Sequence, residues 1–123
     1  MTRSMKSQKS SGRPKKPSLF IVRRVSGDSM LPTLRPGQII LGMRPRDVLP
    51  GDVVVIRHGG LEKVKRVLYI GEGGDRIFVI GDNQAGSTDS RKFGWLSVRQ
   101  VIARVVWPRR VYDYNMPKEP LND

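Results

Sequence analysis

Pro50-Gly51-Asp52-Val53-Val54-Val55-Ile56-Arg57-His58-Gly59-Gly60-Leu61-Glu62-Lys63-Val64-Lys65-Arg66-Val67-Leu68-Tyr69-Ile70 is the stretch whose pattern decides the fold. Pro-Gly-Asp is a turn, and the apolar run Val53–Arg57 after it has the length and β-branched content of a buried strand. His58-Gly59-Gly60 has the composition of a hairpin tip, so Leu61–Ile70 returns as the second strand. Upstream, Ser18–Val25 and Gln38–Met43 repeat the pattern, separated by Gly27-Asp28 and Pro36-Gly37. Downstream, Gly71–Asp75 turns into Arg76–Ile80, a long polar loop covers Gly81–Gly94, and Val98–Trp107 closes the series. Short strands divided by Gly, Pro and Asp, with no long helical segment and no internal repeat, predict a mainly β chain forming a single coiled barrel or sandwich.

The chain has 123 residues, enough for one compact domain. We divide it into a disordered basic arm (1–17), a folded domain (18–112) and a C-terminal tail (113–123). There is no Cys, which excludes disulfides, thiolate catalysis and Cys-ligated metals, and the single His58 excludes a multi-histidine site within one chain. The formal charge of +12 is concentrated at the start: residues 1–27 hold eight Lys/Arg and no acid, whereas 28–123 hold fifteen against eleven. Such a block commonly forms a solvated arm, and any contact with an anionic membrane is assigned to it. No apolar run approaches the roughly 20 residues of a transmembrane helix, and Leu19–Val22 is too short for a signal-peptide centre. The expectation is a soluble, cytoplasmic protein with no organic cofactor and no metal.

Three segments carry chemistry. In Ser26-Gly27-Asp28-Ser29-Met30-Leu31-Pro32-Thr33-Leu34, Gly and Pro bracket a serine on a rigid turn, as a nucleophile requires, although a plain Gly-Asp-Ser turn has the same composition. In the second strand of the hairpin, period-2 alternation puts Lys63, Lys65, Val67 and Tyr69 on one face. A lysine there serves as a general base only if a dry site lowers its pKa from about 10.4 toward 7–8; otherwise the two lysines form an exposed face. His58 at the hairpin tip would have to supply any Ser–His–Asp triad, but a turn histidine is ordinarily a solvated surface residue. The loop 81–94 is dense in side chains that hydrogen-bond backbone, and ordered loops of that length tend to be functional. Its Asp-x-Asn start lacks the later acidic ligands of a calcium loop.

In this order the segments resemble the boxes of type I signal peptidases and their relatives, the self-cleaving repressor peptidases included. Gly27–Leu34 is similar to the nucleophile box, Gly51-Asp52-Val53-Val54-Val55 to the following strand, Lys65-Arg66-Val67 to the lysine box, and Gly81-Asp82-Asn83 with Ser87-x-Asp89-Ser90-Arg91 to the last box. The resemblance implies the coiled β fold of that family and a serine endopeptidase with Ser29 as nucleophile and Lys65 as general base. It further implies that Ser29 N–H helps form the oxyanion hole, that Ser87 orients the lysine, and that Asp89 and Arg91 form a supporting ion pair. Gly27 stands where some bacterial signal peptidases carry a second oxyanion donor. The membrane anchor and large second domain of the longer enzymes are missing, which disfavours secretory signal cleavage. Within the family, the length and the boxes are most similar to the peptidases that mature nickel superoxide dismutase. The implied partner is therefore a precursor protein with a short N-terminal extension. Nucleic-acid binding is not expected: only eight Phe/Trp/Tyr occur, none within the basic arm, and an arm of this size cannot hold a DNA-binding domain.

Overall fold

The computed structural model describes residues 19–45 and 47–116; the arm 1–17 and the end of the tail, 117–123, lie outside the described residues. Among the described residues, seven strands form one antiparallel sheet: β1 (Phe20–Arg24), β2 (Ile39–Met43), β3 (Val53–His58), β4 (Leu61–Ile70), β5 (Arg76–Ile80), β6 (Leu96–Ser97) and β7 (Val101–Trp107). Their order is β1-β2-β7-β3-β4-β5-β6, so the sequence hairpin β3–β4 lies in the middle and β1 is an edge. The mainly β expectation holds.

The central place of β3 explains its unbroken apolar run. Val53 and Val55 join one core cluster with Val25, Met30, Leu34 and Ile40, while Val54 and Ile56 join another with Val67, Ile77 and Val79. Both faces of the strand are thus withdrawn from water, at about 1.5–3 kcal/mol for each such side chain. His58 pairs with Leu61 across a two-residue tip, and Gly59 and Gly60 both adopt positive φ (60° and 79°). A tight tip of that hand matches the twist of the strands and calls for glycine at both places.

Two expectations change. The alternation along β4 holds for Lys63, Lys65 and Val67, but the pairing with β5 shifts between Val67 and Tyr69. A bulge reverses the parity of the residues beyond it, so Ile70, not Tyr69, packs on the cluster holding Val67. Tyr69 instead packs against Phe78 and Trp95, at 5.8 and 6.5 Å between ring centres. The strand expected from Val98 begins at Val101. Ser97 Oγ accepts from Arg99 N–H at 3.1 Å and Ser97 N–H donates to Gln100 Oε1 at 3.0 Å, a capping box that winds 98–100 into a single 3-10 turn. No helix among the described residues is long and apolar enough to cross a membrane.

Candidate active site

The serine turn follows β1. Leu31 N–H donates to Asp28 O (3.2 Å) and Leu34 N–H to Met30 O (2.9 Å), while the fully buried Met30 and Leu34 nail the turn into the core. Ser29 is left half-buried at the wall of a cleft of about 320 Å³. Lys65 lines the same cleft from β4.

The polar loop holds this turn from behind. Asn83 N–H donates to Ser29 O at 2.8 Å and Asn83 Nδ2 to Asp28 O at 3.1 Å. Gly81 is required by space: a Cβ there would lie 2.5 Å from Ser29 O and 2.6 Å from Ser87 Cβ, and closer still to Ser87 Oγ. The loop is built from a 3-10 turn at Gln84–Gly86 and a one-turn helix, α1 (Ser90–Phe93), whose first N–H groups are capped by Asp89.

Lys65 sits opposite Val54, on the face that carries Val67, and is 4% exposed. Its Nζ donates to Ser87 Oγ at 3.0 Å. Ser87 also helps hold down the pKa of the Asp89 carboxylate, which takes Arg91 as a fork: Nε to Oδ1 and Nη2 to Oδ2, both at 2.8 Å. Asp89 also accepts the Gly81 N–H at 2.9 Å. Burial of the Asp89 carboxyl works toward a higher pKa, but these donors outweigh it and hold the group below the usual carboxylate range. Burial pushes the Lys65 amine down from its ordinary value, with Lys63 and Arg91 adding to the effect and Asp89 opposing it. The structure thus gathers Lys65 with Ser87 and Asp89 with Arg91 in one polar cluster and puts Ser29 on the cleft that Lys65 lines.

The depressed lysine has a consequence for stability. Between its folded pKa and the ordinary 10.5, the unfolded chain binds a proton that the folded chain does not. Stability therefore rises with pH across that window, and at neutral pH the desolvated amine is a cost. Lys65→Met should melt higher than the parent at neutral pH, by about 1 kcal/mol, with the gain shrinking as pH approaches 10.5. A Met variant that melts lower at neutral pH would contradict the account.

His58 stands apart from this cluster. Its ring packs on Phe93 of α1 at 4.2 Å between centres, and it is not among the described residues lining the cleft. It is half-buried rather than a freely solvated tip residue.

Sequence reasoning gave no role to Arg66 and Asp82. Arg66 points to the other face of β4 and is 1% exposed; its Nε and Nη2 donate to Asp82 Oδ1 and Oδ2 at 3.0 and 2.6 Å. Asp82 also accepts the Thr33 hydroxyl, and Arg66 Nη1 donates to Gly51 O at 2.9 Å and to Val111 O. The pair ties the serine turn, the turn before β3 and the 3-10 turn Arg109–Asp113 together behind the site. The signal for it lay in the Arg and Asp that directly neighbour Lys65 and Gly81, in segments already singled out. Ser26 and Thr88 also line the cleft.

No curated protein matches the sequence. The family model described as Peptidase S24-like matches residues 3–106, which spans six of the seven strands, most of β7 and the whole of the cleft. The chain belongs to the Peptidase S24-like family.

Proposed function

We propose that the protein is a serine endopeptidase in which Ser29 is the nucleophile and Lys65 the general base, and that it removes a short N-terminal extension from a precursor protein. The observation that supports this best is a lysine withdrawn from water, its Nζ held by Ser87, on the cleft where Ser29 lies. A neutral Lys65 takes the proton from Ser29 Oγ as the oxygen attacks the peptide carbonyl, and passes it to the departing amine. The oxyanion formed on the way meets the N–H of Ser29. Water then attacks the acyl-enzyme, losing its proton to Lys65, and Ser29 is regenerated as the acid product leaves. Ser87 orients the lysine, and Asp89 with Arg91 holds Ser87 in place.

The candidate precursor is that of nickel superoxide dismutase, on the strength of the box resemblance. The test incubates the full chain with that precursor and, separately, with a lipid-embedded secretory preprotein, reading cleavage by mass. A single cut in the first, absent with Ser29→Ala, is the expected result. Cutting only the secretory substrate would replace the maturation role by signal-peptide removal, and binding without cutting would leave a non-catalytic module.

A further inference from the structure

The cleft runs beyond the two residues of the proposed dyad. Along β4, Lys63 and then Glu62 follow Lys65 on its walls, and the three residue steps from Lys65 to Glu62 span about 10 Å at about 3.3 Å each. Arg23 and Arg24 of the edge strand β1 form the facing wall, over a floor of Val55 and Val64. Arg23 reaches across to Glu62, with Nε on Oε1 at 2.7 Å and Nη2 on Oε2 at 3.2 Å, and Arg57 approaches the same carboxylate at 3.4 Å. The hydrogen bond from Arg23 holds the Glu62 carboxyl below its usual range, so the pair stays ionised at working pH. Glu62 is thereby committed to cations of the protein itself.

Two further cations have no carboxylate partner among the described residues. Arg24 gives one donor to Gly37 O at 2.8 Å, and Lys63 Nζ rests 5.3 Å from the centre of the Phe93 ring. The remaining acid on the cleft, Asp28, belongs to the Ser29 end. This end of the cleft therefore presents cationic donors in excess of acceptors, close to an apolar floor. A small apolar side chain would leave those donors unanswered, and a basic one would face repulsion.

We propose that this end of the cleft, formed by Arg24 and Lys63 beside the Arg23–Glu62 pair, is a subsite for an acidic side chain of the substrate. That side chain would stand about three residues from the bond that is cut. The position of the cut rests on the peptidase reading; the charge preference is a property of the cleft alone.

The test uses short labelled peptides in which Glu, Gln or Lys is moved through each position, bound to full-length Ser29→Ala and read by fluorescence anisotropy at low ionic strength. Glu at one position should bind about tenfold tighter than Gln there, with Lys weaker than both, and the gap should close as salt is added. Adding Arg24→Glu and Lys63→Glu to the Ser29→Ala chain should turn the preference toward Lys. Equal binding of the three series, or a Glu preference kept by the reversed chain, would overturn the subsite. Absence of cleavage of any peptide by the native chain, with discrimination intact in Ser29→Ala, would reject the peptidase reading and sustain the subsite.

Discussion

Ser29→Ala and Lys65→Ala should each reduce the cleavage rate of a precursor by about 10⁴-fold or more, and the double variant should be little slower than either single one. The reason is cooperation. A serine hydroxyl without a base is a weak nucleophile, and a buried amine without the serine has no proton to take, so either loss removes nearly the whole gain. His58→Ala, by contrast, should cut at close to the native rate, because its ring packs on Phe93 outside the cleft. The pH profile provides an independent check. Burial lowers the Lys65 pKa, so the neutral amine forms at a lower pH than in free lysine, and the rate should rise through that depressed value. A His58→Ala loss as large as that of Lys65→Ala, or a rate that rises only through the ordinary lysine range, would reject the dyad.

What could be read in the sequence is what local chemistry dictates. The β3–β4 hairpin is legible because a run of β-branched residues and a Gly-Gly tip admit few other structures, and the strand bounds agree at Leu61–Ile70. The bulge at Val67 is not, because it arises from the register with β5 and has no signature in β4 itself. Ser97-Val98-Arg99-Gln100 does carry the signature of a capping box, but Val98 and Val101 draw the segment into the following strand. At the site, Ser87, Asp89 and Arg91 are legible through the resemblance alone; their composition allows an ordinary polar surface loop. That Lys65 is buried cannot be deduced from alternation, since period 2 states which residues share a face and not whether that face is dry. The neighbours of Lys65 are Val54 across the hairpin and Ser87, twenty-two residues on in the loop, which alternation within β4 does not report. Alternation puts Arg66 on the opposite face from Lys65, but its partner lies sixteen residues on, across a turn and another strand.

That partner gives the largest stability effect expected in the molecule. Asp82→Ala should destabilise the fold by about 3–5 kcal/mol, because it leaves a guanidinium buried without its counter-charge. Arg66 and Asp82 have side chains 1% and 0% exposed, so water cannot take over the role of the lost carboxylate. Against a total stability of about 5–15 kcal/mol, such a loss lowers the melting temperature by more than about 12 °C. Replacing both members, Arg66→Met with Asp82→Leu, should recover much of that loss, since the uncompensated charge goes with its partner. The same double variant separates stability from function. Asp82 also accepts the Thr33 hydroxyl, and Asp82 joins Gly81 to Asn83, whose N–H holds Ser29 O. A chain with an apolar pair at these two positions should therefore fold and still cut more slowly, because the serine turn has lost its anchor to the loop. A native melting temperature for Asp82→Ala would show that the pair does not carry the fold. Native turnover by the double variant would show that the turn needs no anchor there.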